Sequence, residues 1–284
     1  MITYSGRKIS IMGIVNLTPD SFSAPSRTAS TGTALHDEEK YLPDLKDALY
    51  RIGKLLYDGA DIIDIGACST RPGSEPVSSD IEWKRLSAVL SAFRREFGDI
   101  PLSIDTFRSD IARRAMETAG KIIINDAVGC ELDEMLVLAA ENGLRYVATH
   151  NPKAVRCSPA AQKEETVMAD VLHYFEGFAA KAAKAGLSEW ILDPGLGFGK
   201  SADQNWELLS HCSEFMIFGR PVLVGYSRKR MIYEPIGLTL EDVNAGLSGQ
   251  HLRLFEEQSR RAFLLALEQG VSIIRLHEIP SELK

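Results

Sequence analysis

The sequence predicts an α/β chain folded as a single-domain (β/α)8 TIM barrel, residues 1–284, and three observations carry that expectation. Short β-branched apolar runs alternate with longer stretches of helical spacing, the pattern of parallel strands buried on both faces and separated by helices. Eight such alternations in 284 residues match the length of a closed barrel. A doubly wound sheet is the rival, but it more often carries a GxGxxG turn after its first strand, and here that strand runs into Asn16-Leu17-Thr18-Pro19-Asp20.

The strand runs are Ile9–Val15, Asp61–Ile65, Pro101–Ile104, Lys121–Ile124, Leu144–Ala148, Trp190–Leu192, Pro221–Val224 and Val271–Leu276. Helical spacing occupies Leu42–Tyr57, Ser79–Phe97, Ser109–Ala119, Leu132–Glu141, Lys163–Ala185 and Gln250–Glu268. In the last, Leu252, Phe255, Ser259, Phe263 and Leu267 trace one inner face. Glycines at 59, 120, 143, 186 and 270 close helices just before the next strand, as C-caps do. No linker or composition shift divides the chain.

Composition narrows the class. The chain is 45% hydrophobic and 25% charged, ordinary globular values. With 32 Lys and Arg against 39 Asp and Glu, the net charge is −7. That balance argues against nucleic acid as a partner, since a phosphate backbone needs a basic footprint. Nowhere do 18 apolar residues follow one another, so no membrane partner is expected and the chain reads as cytoplasmic. Cys68, Cys130, Cys157 and Cys212 form no CxxC pair, which leaves them as reduced structural thiols.

In a barrel, chemistry gathers at the C-terminal strand ends. Those ends offer Asn16, then Ser69-Thr70-Arg71, Asp105, Asn125-Asp126, Thr149-His150, Asp193, Ser227-Arg228-Lys229, and finally Arg275 with His277. Helix N-capping would account for single Asn, Asp, Ser or Thr residues but gives no reason for Lys229, Arg275 and His277. Arg275 and His277 stand two apart and share a strand face, a cationic fork beside an imidazole that suits a phosphate. Asp105, Asn125 and Asp193 would converge on the mouth and offer carboxylates and an amide to a flat, donor-rich ring, with Lys229 for ring acceptors. The acidic pair is also a metal candidate. Asp193–Lys200 (DPGLGFGK) lacks the ending of a phosphate-binding P-loop, so its glycines are read as letting backbone approach a flat ligand closely.

Seven motifs, Met12–Ser23 (MGIVNLTPDSFS), Asp64–Ser74 (DIGACSTRPGS), Ser103–Thr106 (SIDT), Ile124–Asp126 (IND), Asp193–Lys200, Gly225–Lys229 (GYSRK) and Ile274–Glu278 (IRLHE), follow one another in an order that resembles the dihydropteroate synthase family over almost the whole chain. The resemblance implies that a 6-hydroxymethyl-7,8-dihydropterin diphosphate exchanges its pyrophosphate for the amine of 4-aminobenzoate. It implies that Asp105, Asn125, Asp193 and Lys229 hold the pterin, and that Arg275 packs beside it and with His277 holds the leaving diphosphate. It implies Mg²⁺ at Asn16, and a second site shaped by Thr70, Arg71, Pro72, Phe22, Phe198 and Ser227. Asp105, Lys229, Arg275 and His277 would carry the catalysis. A homodimer, folate synthesis and the site that is the sulfonamide target of the family are also implied.

The chain departs from that family's pattern at Ala24-Pro25-Ser26-Arg27, at Ala67-Cys68, and at Ala148-Thr149-His150-Asn151, where a Met-His-Met run is usual. A pterin-binding methyltransferase acting on a corrinoid protein is the nearest alternative, but it has no use for a diphosphate site such as Arg275 and His277. A non-catalytic pterin binder would not need Asn16, Thr70 and Arg71.

Overall fold

The computed structural model describes residues 2–4, 6–19, 42–68, 76–129, 132–152 and 166–280. Strands β2 (Arg7–Asn16), β3 (Ile62–Gly66), β4 (Leu102–Asp105), β5 (Ile123–Asp126), β6 (Arg145–Thr149), β7 (Trp190–Asp193), β8 (Leu223–Val224) and β9 (Ile273–Leu276) are parallel. Their spatial order is β7-β6-β5-β4-β3-β2-β9-β8. A single parallel bridge, Leu192 to Val222, joins the two ends of that order and closes the barrel. The eight expected strands are all present. A ninth, β1 (Ile2–Tyr4), was not expected; it pairs antiparallel with the start of β2, Ile2 opposite Ile9.

Side-chain alternation explains why the ring closes. Met12, Ile62, Ile123, Val147, Ile191, Leu223 and Ile273 form an apolar cluster of their own, the filled interior of the barrel. Their strand neighbours of opposite parity, among them Ile11, Ile63, Ile104, Ile124, Tyr146, Leu192 and Ile274, belong to the larger cluster between sheet and helices. Every strand except β4, whose inward residues are Ser103 and Asp105, therefore has two apolar faces, which is why the runs read as continuous rather than alternating. Above the interior cluster the inward positions turn polar: Asp64, Asp105, Asn125, Thr149, Asp193 and Arg275. That change makes a polar mouth over an apolar plug.

The helices are α1 (Leu45–Tyr57), α2 (Ser79–Phe97), α3 (Ser109–Ala119), α4 (Asp133–Glu141), α5 (Val167–Ala185), α6 (Ala202–Ser210), α7 (Arg230–Tyr233), α8 (Leu240–Ala245) and α9 (Gly249–Glu268). α1 begins at Leu45 rather than Leu42 because Asp44 caps it, its side chain accepting from the Asp47 amide at 3.0 Å. α6 was not expected from the spacing; a capping box between Ser201 and Gln204 starts it. α7 and α8 are shorter still, four and six residues. No helix among the described residues is long and apolar enough to cross a membrane.

At the end opposite the mouth, Arg94 gathers four backbone carbonyls. Its guanidinium donates to Ala119 O at 2.6 Å, Ile100 O at 2.7 Å, Lys121 O at 3.0 Å and Gly98 O at 3.1 Å. These carbonyls lie in the two connections that lead into β4 and β5, so one side chain fixes both strand entries. Arg94→Met should destabilise the fold by about 2 kcal/mol, since hydrogen bonds to a charged group contribute roughly 1.5–3 kcal/mol and the freed carbonyls regain water. Thermal unfolding should show a midpoint lower by several degrees.

Candidate active site

The mouth is organised by a buried charge cluster. Arg275 Nε and Nη2 reach Asp64 Oδ2 at 2.7 and 2.6 Å, and Nη2 also meets Asp105 Oδ2 at 2.9 Å. Asn125 Nδ2 donates to the same Asp64 oxygen at 3.1 Å. Strand parity sets up the contact: β9 lies beside β2, which lies beside β3, and all four residues occupy inward positions on strands of one ring. Burial alone would push the Arg275 guanidinium down, but Asp64 and Asp105 raise it above its usual value. Burial pushes the Asp105 carboxyl up to about 7, against the pull of Arg275. Thus the cationic fork expected to stand open to an anion is engaged by two carboxylates.

His277 sits two residues further toward the rim. Its Nδ1 lies 3.1 Å from Ser227 Oγ, which also accepts from the His277 amide at 3.3 Å. Arg275 and His277 therefore divide, one to the carboxylates of the floor and one to the edge.

Two strands round the ring, beyond β8, Asp193 ends β7, and its Oδ1 accepts from the Gly195 amide at 2.8 Å. Burial raises its carboxyl, with Lys229 opposing. Burial pushes Lys229 down to about 8, although Asp193 and Asp105 both favour its charged form. The Lys229 ammonium donates to Leu196 O and stands 4.9 Å from the Phe198 ring centroid. Arg228, next in the chain, is the single described non-glycine residue with positive φ, 58°, and it points away to Glu278 Oε1 at 2.6 Å. This strained turn aims Ser227 and Lys229 at the mouth while Arg228 faces solvent.

The loop between Asp193 and Lys200 is shaped by a residue that motif reading set aside. Lys200 Nζ donates to Gly195 O at 2.9 Å, His150 O at 3.2 Å and Phe198 O at 3.3 Å, one carbonyl for each N–H. Burial pushes Lys200 down to about 7, and it pushes His150, beside Lys200, down to about 3, a neutral imidazole whose ring meets Tyr174 at 5.1 Å. The lysine of DPGLGFGK thus binds backbone, which supports reading that segment as something other than a phosphate loop.

Asp105, Asn125, Asp193, Lys229 and Arg275 are brought together at the mouth, with Phe198, Ser227 and His277 at its edge. Asn16 ends β2 beside Gly66 of β3. Asp126 turns out of the barrel and accepts from Tyr146 Oη at 2.6 Å. Phe22, Thr70, Arg71 and Pro72 lie outside the described residues. The chain on either side of 69–75 is held by one buried and one half-buried guanidinium: Arg85 Nη1 donates to Ala67 O at 3.0 Å and Arg108 Nη2 to Val77 O at 2.6 Å. Cys68 and Cys212 form no disulfide bond, and burial pushes both thiols up, so neither is an activated nucleophile.

The family described as "Pterin binding enzyme" matches residues 12–277. The dihydropteroate synthase of Escherichia coli K12 is 35% identical over 274 residues, 95% of this chain and 86% of that protein. The chain belongs to the dihydropteroate synthase family. It also spans 29% of a probable bifunctional folylpolyglutamate synthase/dihydropteroate synthase of Haloferax volcanii, at 34% identity over 95% of its own length. Among solved structures, the dihydropteroate synthase of Clostridium difficile in the presence of pteroic acid superposes with a TM-score of 0.76 and 30% identity, covering 98% of this chain and 94% of that one. The barrel expected from the sequence is thus the barrel of this family.

Asp64 was missed as a site residue although it opens a family motif. Its signal was parity: Ile62, Asp64 and Gly66 alternate inward on β3, which places an acid in the barrel interior. Two glycines of the family loop make a test of the site's packing. A Cβ on Gly195 would fall 2.0 Å from the His150 carbonyl oxygen, whereas one on Gly197 would fall 2.7 Å from Lys229 Cδ, a flexible stem. Both have positive φ, 68° and 86°. Gly197→Ala should therefore cost about 1–2 kcal/mol, the left-handed strain itself, and Gly195→Ala clearly more, because backbone cannot step aside. Melting temperatures of the two variants should rank in that order.

Proposed function

We propose that the chain is a dihydropteroate synthase: it joins 6-hydroxymethyl-7,8-dihydropterin diphosphate to 4-aminobenzoate and releases pyrophosphate, in folate synthesis. The observation that carries this reading is the placement of Asp193, Asn125 and Asp105 in one ring with Lys229 and Arg275. An amino-pyrimidinone edge presents parallel N–H groups, which a carboxylate accepts in pairs. Asp193 is assigned to that edge, Lys229 to ring acceptors, and Asn125 to the ring beyond it.

When the diphosphate leaves, it takes the electron pair of the C–O bond, and positive charge spreads into the dihydropterin ring. The Asp105 carboxylate at the mouth stabilises that charge. The 4-aminobenzoate nitrogen, nucleophilic when neutral, forms the new C–N bond and releases its proton to solvent. Arg275, ion-paired with Asp105 and Asp64, packs against the ring, while His277 at the edge faces the departing diphosphate. Phe22, Thr70, Arg71 and Pro72 with Phe198 and Ser227 are assigned to 4-aminobenzoate.

Asn16 offers one hard oxygen at the end of β2. Mg²⁺ keeps waters and substrate phosphates and needs few protein oxygens, so a lone amide fits an ion that arrives with the diphosphate. No group of three or more His, Cys, Asp or Glu among the described residues could hold a metal ion without substrate. When bound, Mg²⁺ would neutralise charge on the leaving group. We take the enzyme to act in the cytoplasm as a homodimer open to sulfonamides, as its family implies. The direct experiment combines the pterin diphosphate, Mg²⁺ and 4-aminobenzoate; pyrophosphate should appear only when all three are present.

Asp193→Asn turns an acceptor into a donor facing a donor. It should weaken pterin binding by about 1.5–3 kcal/mol, roughly ten- to a hundredfold, by calorimetric titration.

The pH profile follows from Asp105. Its carboxyl is pushed up to about 7, so it is neutral and ineffective below that pH. The rate should fall as pH drops through about 7. In Asp105→Asn the residual rate should lack that acid limb, and a limb that persists would assign it to another group.

A further inference from the structure

We propose that the Thr149 hydroxyl is a substrate-binding group that hydrogen-bonds the pterin ring, an inference that rests on the pterin reading above. Thr149 is fully buried, and its Oγ1 has no hydrogen-bond partner. A hydroxyl left buried and unpaired is costly, so such an atom calls for an explanation.

Position supplies one. Thr149 is the last residue of β6 and shares the inward parity of Val147, which belongs to the barrel's interior cluster. Its register partner is Asp193 on β7, and β6 is flanked on the other side by β5, which carries Asn125. A flat ring held by both Asp193 and Asn125 must cross the end of the strand between them. Thr149 lies under that crossing.

The neighbours decide the polarity of the bond. The Asp193 carboxylate accepts, one N–H of Asn125 is engaged by Asp64, and one N–H of the Lys229 ammonium donates to Leu196 O. The Thr149 hydroxyl, with no partner of its own, adds a donor at this wall beside the remaining N–H groups of Asn125 and Lys229, and it suits a ring nitrogen or carbonyl. Two other orphan atoms, Asp64 Oδ1 and Ser103 Oγ, are register neighbours on β3 and β4. They belong to the floor around Arg275 rather than to the wall between Asp193 and Asn125.

The role predicts opposite signs for two measurements, which a purely structural threonine would not give. Thr149→Val keeps the shape and removes the hydroxyl, so the ligand-free protein should melt at the same temperature or higher. Titrated with 6-hydroxymethylpterin, the same variant should bind about tenfold more weakly than the natural chain. Thr149→Ser, which keeps the hydroxyl, should hold affinity within about threefold, and Thr149→Ala should lose it as the valine does if the valine fails to fold. Equal pterin affinity in the natural, Val and Ala proteins would overturn the assignment. Failure of the natural chain to bind the pterin at all would instead overturn the pterin reading, and this inference with it.

Discussion

The mouth of this barrel depends on one buried guanidinium. Arg275 joins Asp64 and Asp105, carboxylates from two different strands, and through Asp64 it reaches the Asn125 amide. Without the cation, two acids would face each other in the barrel interior and at least one would take up a proton. With it, Asp64 remains engaged while Asp105, pushed up to about 7 by burial, stays close to its point of ionisation. A group near that point can present a charge to a developing cation without locking it permanently into an ion pair. Removing one member of such a cluster is far more damaging than replacing all of it, since each leaves a buried charge uncompensated.

The second constraint is the backbone knot around Lys200. Three carbonyls turn toward one ammonium, and the glycines that permit that turn also bring Leu196 O to Lys229. The wall that presents Asp193 and Lys229 is therefore set by main-chain geometry rather than by surface loops. Rigid placement of this kind is what a site must have to hold a flat ring in one orientation.

The barrel was legible in the sequence because its strands are buried on both faces, so Ile62–Ile65, Ile122–Ile124 and Ile273–Ile274 stand out as apolar runs regardless of helix positions. The helices α6 to α8 were not: α7 and α8, of four and six residues, are under two turns and give too few repeats to show a period. At the site, Asp105, Asn125, Asp193, Lys229 and Arg275 were legible as polar residues at strand ends. What sequence could not supply was their pairing. Arg275 read as open to an anion because its partners lie 170 and 211 positions away along the chain. Asp64 hid inside its strand run for the same reason: only alternation, applied strand by strand, separates an inward acid from a helix-facing one.

The barrel does not close evenly around its circumference. β8 is two residues long, and its side toward β7 is joined by one bridge, Leu192 to Val222, with the Leu192 amide donating to Pro221 O at 2.9 Å. The other seams are ladders of two to five register pairs. Breathing motions begin where the fewest hydrogen bonds must break. Here that weakest seam runs up between the strand that ends in Asp193 and the strand that leads to Lys229, so thermal opening of the ring widens the gap between those two side chains before it reaches Asp64 and Asp105, whose strands β3 and β4 lie across the ring from the seam.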